Sequence, residues 1–190
     1  MNKLIVLLGN PGAEYEGTRH NVAWQVMDNS REYSILAWKS KFKGLFASMD
    51  VDNDKIYFLK PETYMNLSGE SVKPLCSFFK IEPQNILVIQ DELDLPVGTI
   101  VAKCGGGLAG HNGLKSISQH MGTNDYYRLR IGIGRPVHGS ISDHVLSNFK
   151  GDDLIIIERV YETSEEIIKD FCQFNYERAF KKYNKKIIIT

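Results

Sequence analysis

The feature that most constrains the fold is an unbroken apolar run that feeds a polar loop. Residues 4–8 read LIVLL, which predicts a buried strand, and the chain then breaks at GNPG. The loop continues to His20, which stands between Arg19 and Asn21. A buried strand that ends in a polar loop is typical of α/β proteins, which carry functional groups at the carboxyl edge of the sheet. Since histidine exchanges protons near neutral pH, we expect His20 to be functional.

The rest of the chain alternates between predicted strands and helices. Strands are predicted at residues 4–8, 45–51, 55–59, 86–89, 99–103 and 128–133, and helices at 21–33, 69–80, 113–121, 153–173 and 176–183. The residues 52–54, Asp-Asn-Asp, predict a hairpin between the second and third strands. This pattern predicts a three-layer α/β/α sandwich around a twisted mixed sheet. Because no repeat, low-complexity tract or linker interrupts the 190 residues, we expect one domain over residues 1–190.

Charge and cysteine content narrow the class of protein. Lys plus Arg equals Asp plus Glu at 23 each, which argues against coating nucleic acid by bulk charge but allows a local basic clamp. The three cysteines form no C-x-x-C pair, so we expect neither a disulfide framework nor a zinc site. No apolar run approaches the roughly 20 residues of a membrane helix, and no secretory signal pattern is evident. We therefore expect a cytoplasmic protein that does not contact a membrane.

Four polar residues are expected to meet at one edge of the sheet. Asn10 follows the first predicted strand, Asn66 comes a few residues after the third, and Asp91 comes shortly after the fourth. If these strands run parallel, their carboxyl ends share one crevice, which His20 also reaches. The sequence therefore predicts a site in this crevice.

His20 and Asp91 form the pair best suited to catalysis. A carboxylate that accepts a hydrogen bond from one imidazole nitrogen leaves the other nitrogen to take a proton. The sequence has no G-x-S-x-G motif and no cysteine in a comparable loop, so the expected nucleophile is water. The alternative is that His20 only caps or packs against the following helix.

Two other motifs in the sequence suggest different chemistries. Residues 91–94, DELD, suggest a magnesium site, but neighbouring acids on a strand-to-loop segment cannot converge on one ion, so no metal is expected. Residues 105–110, GGGLAG, match the G-x-G-x-x-G dinucleotide fingerprint. The match fails further on, because Asp125 precedes the next strand instead of ending it, and no NAD or other cofactor is expected.

The glycine-rich stretch is better suited to binding phosphate. Its glycines surround His111 and Asn112, and Lys103 and Lys115 flank them. Backbone amides and a lysine in such a loop can hold phosphate, and Arg130 on the neighbouring predicted strand could supply a second cation. The alternative is a tight structural loop.

Two tyrosines lie in the loops that are expected to form the site. Tyr15 belongs to the first loop and Tyr64 to the loop that carries Asn66. An aromatic ring there is suited to stacking on a base or ribose, so both are candidate substrate contacts.

Five segments of the chain together resemble bacterial-type peptidyl-tRNA hydrolases. They are, in the family's order, GNPGAEYEGTRHN, KPETYMNLSG, QDELDLPVGTI, GGGLAGHNGLKSI and YYRLRIGIGRP. The resemblance implies hydrolysis of the ester between a peptide and the 3′ ribose of tRNA, without a metal ion. It also implies that the enzyme recycles peptidyl-tRNA released by stalled ribosomes.

The same resemblance implies roles for individual residues. His20 would be the general base that activates water, Asp91 would stabilise its protonated form, and Asn10 would help to distinguish peptidyl-tRNA from free aminoacyl-tRNA. The residues implied in substrate binding are Tyr15, Tyr64, Met65, Asn66, His111 and Asn112, and those implied in tRNA phosphate binding are Lys103 and Arg130.

The chain departs from the family pattern at three positions. Gln90 stands where the family often has histidine, and Leu108 and Ala109 stand where histidine and glycine are common. Other relatives of this fold are organellar RNA-splicing cofactors that need no hydrolysis. The full set of polar site residues favours the hydrolase, and nothing in the sequence demands more than a monomer.

Overall fold

The protein, described over residues 1–190 by a computed structural model, is built around one mixed sheet of eight strands. The strands are β1 (Asn2–Leu7), β2 (Lys39–Lys41), β3 (Gly44–Val51), β4 (Asp54–Pro61), β5 (Ile86–Glu92), β6 (Thr99–Cys104), β7 (Tyr127–Gly132) and β8 (Ile187–Ile188). Their order across the sheet is β2-β3-β4-β1-β5-β7-β6-β8. The four central strands, β4, β1, β5 and β7, are parallel, and the outer strands pair antiparallel.

Strand β1 lies between β4 and β5 and is buried on both faces. Ile5 and Leu7 pack into one hydrophobic core, and Leu4 and Val6 pack into the other. All four side chains are fully buried. This placement explains why the strand is continuously apolar rather than alternating, as is usual for parallel strands covered on both sides.

Helices cover both faces of the sheet. They are α1 (Val22–Asp28), α2 (Gly69–Phe79), α3 (Asn112–Met121), α4 (Ile141–Val145), α5 (Asp152–Gln173) and α6 (Tyr176–Tyr183). Residues of α2 and α3 join the core that contains Leu4, whereas residues of α1, α5 and α6 join the core that contains Ile5. The predicted three-layer arrangement around a mixed sheet is confirmed. None of the helices has both the length and the apolar composition that crossing a membrane requires.

The first helix is shorter than predicted. It ends at Asp28, whereas the prediction extended it to Tyr33. The side chain of Asn29 donates to the carbonyl of Gln25, and the hydroxyl of Ser30 accepts from the amide of Tyr33. Such local side-chain bonds compete with helix continuation. A separate 3₁₀ turn, Glu32–Ile35, follows.

Three short elements were not predicted. β2 is fully exposed, β8 has only two residues, and α4 has no buried residue, so none carries a periodic apolar pattern. β2 and β8 form because the exposed edges of β3 and β6 offer hydrogen-bond partners. β5 is also longer than predicted, since β7 pairs with it as far as Glu92. Asp91 therefore lies inside the strand rather than after it.

The predicted hairpin is present between β3 and β4. Val51 pairs with Asp54, so the turn consists of Asp52 and Asn53 alone. Asp52 has a φ of 52°, the left-handed conformation that Asp tolerates in tight hairpin turns.

A buried lysine joins β1 to the end of α5. Lys3 is 1% exposed, and its Nζ donates to the carbonyls of Cys172 and Phe174 at 3.0 and 2.8 Å. It also lies 2.7 Å from Oδ2 of Asp54. These contacts satisfy carbonyl groups at the C-terminus of α5, which have no partner within the helix.

Replacing Lys3 by methionine should destabilise the protein substantially. The Lys3→Met variant keeps most of the side-chain volume but leaves the two buried carbonyls without their donor and Asp54 without one cation. We expect a loss of about 2–4 kcal/mol in the free energy of unfolding, measured by urea denaturation. Lys55→Met, which breaks the exposed pair with Asp50, is the control and should cost less than about 1 kcal/mol. Equal losses in the two variants would contradict the role given to Lys3.

Candidate active site

A cleft of about 570 Å³ opens at the carboxyl edge of the parallel strands. Because β1, β4 and β5 are parallel, the segments that follow them meet there. Of the site residues that the sequence analysis predicted, those that line the cleft are Asn10, His20, Tyr64, Met65, Asn66, Asp91, His111 and Asn112. Tyr15, in the 3₁₀ turn Ala13–Tyr15, does not line it.

The loop after β1 places Asn10 in the cleft. Gly9 lies against the ring of Trp24, and a Cβ at this position would come within 2.6 Å of that ring, so the turn requires glycine. The Oδ1 atom of Asn10 accepts a hydrogen bond of 2.8 Å from the amide of Met65. This bond joins the segment after β1 to the segment after β4, and it leaves the side-chain NH₂ group of Asn10 as the donor available to a ligand.

Asn21 holds Asn10 in place, and sequence reasoning missed it. Its Oδ1 accepts from the amide of Asn10 and its Nδ2 donates to the carbonyl of Asn10, both at 2.9 Å. The Asn21 side chain is fully buried. In the sequence, only the position of Asn21 directly after His20 pointed to it. A linear pattern does not reveal that its side chain forms two hydrogen bonds with the backbone of Asn10.

His20 lies in the 3₁₀ turn Arg19–Asn21, and Asp91 lies on β5. Nδ1 of His20 is 2.9 Å from each carboxylate oxygen of Asp91, which is 3% exposed. Burial by itself would lower the pKa of His20, but the charge and hydrogen bond of Asp91 outweigh it, so the pKa is raised. This arrangement leaves Nε2 as the ring nitrogen able to accept a proton.

His111 is the second histidine bonded to Asp91. Its Nε2 is 2.9 Å from Oδ1 of Asp91, and its ring centroid is 5.4 Å from that of His20. Its Nδ1 accepts hydrogen bonds from the amides of Gly113 and Leu114, so His111 caps the N-terminus of α3. Burial would raise the pKa of Asp91, yet the two histidines hold it well below its usual range.

The donor set of His20, Asp91 and His111 does not suit a metal ion, although their ligand atoms lie within 4.8 Å of one another. Nδ1 of His111 accepts two amide hydrogens, so the ring proton is on Nε2 and that atom has no lone pair for a metal. Only His20 and Asp91 of this group could then bind the ion, whereas catalytic zinc sites use three protein ligands.

An apolar wall lines the cleft beside His20 and Asp91 and was not predicted. Ile141 and Val145 of α4 line the cleft, together with Leu146 and Leu93. The amide of Arg19 donates to the carbonyl of Ser147, which fixes the end of this wall beside His20. The sequence signal was weak because α4 is one short helix with half-exposed apolar residues.

A smaller cavity of about 310 Å³ adjoins the cleft and contains the predicted basic residues. Lys103 on β6 and Arg130 on β7 line it, with Arg128 directly opposite Lys103 in the sheet. Arg130 Nε lies 2.9 Å from Oε2 of Glu92, which leaves its terminal nitrogens unpaired by that contact. Lys115 lines neither cavity. Three cations, Lys103, Arg128 and Arg130, and two carboxylates, Glu92 and Asp94, therefore line this cavity.

Arg128 lies against the glycine-rich segment and bonds to its backbone. The guanidinium of Arg128 donates to the carbonyls of Gly105 and Gly107. A dinucleotide fingerprint requires the strand before it to be parallel to its neighbour, whereas β6 is antiparallel to β7, which argues against NAD binding. Ala109, with a φ of 49°, adopts a conformation that favours glycine.

Comparison with known proteins points to one family. A family model described as "Peptidyl-tRNA hydrolase" matches residues 4–189. The chain is 42% identical to a peptidyl-tRNA hydrolase of Clostridium novyi over 95% of this chain and 97% of that protein. It is also 42% identical to a peptidyl-tRNA hydrolase of Halalkalibacterium halodurans over 96% of this chain and 100% of that protein. The crystal structure of peptidyl-tRNA hydrolase from Acinetobacter baumannii superposes with a TM-score of 0.87 at 36% identity, covering 96% of this chain and 94% of that one.

The protonation of His20 should depend on Asp91 in a predictable direction. We expect His20 to titrate above the reference value of 6.5, because the carboxylate favours the imidazolium. In Asp91→Asn the charge is lost and burial remains, so the midpoint should fall. Histidine ring shifts followed by NMR between pH 5 and pH 9 measure both midpoints, with exposed His138 as the internal control. A His20 midpoint that does not fall in Asp91→Asn would contradict this electrostatic account.

Proposed function

This chain belongs to the peptidyl-tRNA hydrolase family, and we propose that it hydrolyses the ester between a peptide and the 3′ ribose of tRNA by using water activated by His20. The observation that carries this proposal is the His20–Asp91 contact of 2.9 Å in the cleft. Its setting is the carboxyl edge of the sheet, where a substrate can reach both groups.

The proposed reaction uses the two nitrogens of His20 differently. Nδ1–H donates a hydrogen bond to Asp91, which fixes the ring orientation and, as a carboxylate that keeps its charge, stabilises the imidazolium that forms later. Nε2 takes a proton from water as the water oxygen adds to the ester carbonyl carbon. When the intermediate collapses, the imidazolium returns that proton to the 3′ oxygen of the ribose, and the peptide leaves as a carboxylic acid.

The asparagines surrounding this pair are suited to orient the substrate. The side-chain NH₂ of Asn10 can donate to a carbonyl of the peptide, which a free aminoacyl group lacks. Asn66 and Asn112 are exposed in the cleft and can position the peptide backbone, the water and the developing oxyanion.

Aromatic and apolar groups complete the proposed substrate contacts. Tyr64 is 59% exposed beside the buried Met65, which suits it to contact the terminal nucleotide or the peptide. Tyr15 lies outside the cleft lining, so we assign it to a more peripheral part of the substrate.

The second cavity is the proposed site for tRNA phosphate. Lys103 and Arg130 present two cations there, and Glu92 orients Arg130 by bonding to the Nε of the arginine.

The proposed enzyme needs no metal, acts as a monomer and recycles peptidyl-tRNA released by stalled ribosomes. Support for the metal-independent reaction is the tautomer of His111, which removes a third ligand from the catalytic group.

Replacing His20 should abolish hydrolysis without preventing substrate binding. In His20→Ala we expect kcat for N-acetyl-aminoacyl-tRNA to fall by at least about 100-fold, because the general base is lost. The tRNA affinity, measured by filter binding, should stay within about twofold, since phosphate contacts dominate it. His138→Ala removes an exposed histidine and is the matched control. Substantial turnover by His20→Ala would remove His20 from its assigned role, and a wild-type protein that binds tRNA without cleaving it would indicate a binding module.

Replacing the two basic residues should instead weaken binding in a salt-dependent way. Lys103→Ala and Arg130→Ala should each raise Kd for full-length tRNA and reduce the salt slope of log K by about 1, because each removes a phosphate contact. Lys181→Ala, whose lysine pairs with Glu177 on the exposed face of α6, is the control. A minimal ester substrate that lacks the tRNA body should be cleaved at nearly normal rates by both variants. Equal damage with that substrate would contradict a phosphate-binding role.

A further inference from the structure

His111 is bonded at both ends of its ring. Nδ1 accepts amide hydrogens from Gly113 at 3.1 Å and Leu114 at 3.4 Å, which are among the first amides of α3. Nε2 lies 2.9 Å from Oδ1 of Asp91. The side chain is 8% exposed. A residue with both nitrogens occupied has no polar atom left for substrate.

These bonds define the protonation state of the ring. A proton on Nδ1 would face two N–H donors, so Nδ1 must be unprotonated while α3 keeps its cap. The remaining proton is therefore on Nε2, and His111 donates it to Asp91 as a neutral imidazole. The amide groups at the helix N-terminus polarise the ring, which makes Nε2–H a stronger donor.

Asp91 consequently receives hydrogen bonds from two directions. Oδ1 accepts from His111 and from Nδ1 of His20, and Oδ2 accepts from His20 alone. The bond from His111 adds a contact at Oδ1 that does not come from His20 and so opposes rotation of the carboxylate. It also withdraws negative charge that would otherwise act on His20.

We propose that His111 is a positioning residue, which holds Asp91 in line with His20 and couples the catalytic pair to the first turn of α3. This inference deepens the proposed function and rests on it. Without the His111 donor, Asp91 would attract the His20 proton more strongly but hold the ring in a less defined orientation. Turnover should fall, and a higher pH should be needed to free the base.

Most of the other charged groups around the pair have partners of their own, and replacing His111 removes none of those contacts. The paired groups are Arg19 with Asp153, Glu92 with Arg130, Arg135 with Asp94, Glu70 with Lys43, and His144 with the carbonyls of Ile133 and Gly134. Lys115 is exposed to solvent. A shift in the pH profile between the wild type and a His111 variant therefore reports the loss of the His111 donor.

The tautomer can be measured directly on the wild-type protein. In long-range ¹H–¹⁵N NMR spectra of protein labelled with ¹⁵N-histidine, we expect His111 to be neutral with its proton on Nε2 at pH 8. The His111 ring signals are identified as those that disappear from the spectrum of the His111→Asn variant. A proton on Nδ1, or a charged ring at that pH, would overturn the inference whatever the activity of the enzyme.

The His111→Asn variant removes the hydrogen-bond donor to Asp91 but keeps a cap for the N-terminus of α3. Asparagine is a favoured N-cap, so its side-chain oxygen can keep the first amides of α3 paired, but it has no ring to carry a second nitrogen to Asp91. We expect kcat for N-acetyl-aminoacyl-tRNA to fall about tenfold, with KM within about twofold, because a hydrogen bond to a charged group is lost. The acidic limb of the kcat/KM profile should move to higher pH. His120→Asn, on the same helix but bonded only to the Ser116 carbonyl, is the matched control.

The outcomes separate this inference from the function on which it rests. An increase in KM at unchanged kcat would make His111 a substrate contact, and a lower kcat with an unmoved acidic limb would make its role merely structural; either result overturns the inference. If the wild type fails to hydrolyse the ester, or His20→Ala retains activity, the proposed function fails instead, and the tautomer measurement still tests His111.

Discussion

Parallel pairing of β1 with β4 on one side and with β5 on the other is the constraint on which the rest of the structure depends. It brings the segments that follow three strands to one edge of the sheet, and it buries β1 on both faces. The bond from the Met65 amide to Asn10 then joins two of those segments directly. The cleft is a consequence of this topology, because no single loop could supply its polar groups.

The chemistry of the cleft centres on a carboxylate buried inside β5. A buried charge is costly unless donors surround it, and Asp91 has donors from both His20 and His111. Each histidine is oriented by its own backbone, one by a 3₁₀ turn and the other by the N-terminus of α3. The carboxylate therefore connects two elements from opposite faces of the sheet and raises the proton affinity of His20 at the same time.

Much of the fold could be predicted because its main elements have strong local patterns. The apolar strand at residues 4–8, the hairpin turn at Asp52 and the amphipathic helix α5 are readable over short windows. β2 and β8 could not be predicted, because a short exposed strand exists only where a neighbouring edge pairs with it. The first helix was overextended because side-chain bonds at Asn29 and Ser30 compete with a continuing helical pattern.

The sequence by itself determined which polar residue types lie at or near the ends of the predicted strands, since strand ends and polar loops are local features. Its five family segments also indicate the family, because they occur together and in the family's order. Tertiary structure alone decided that Asn21 holds Asn10, that α4 forms an apolar wall, and that His111 bonds to Asp91 while capping α3. Hydrogen-bond partners and ring tautomers depend on distances of a few tenths of an ångström between segments far apart in the chain, and linear spacing carries no such information.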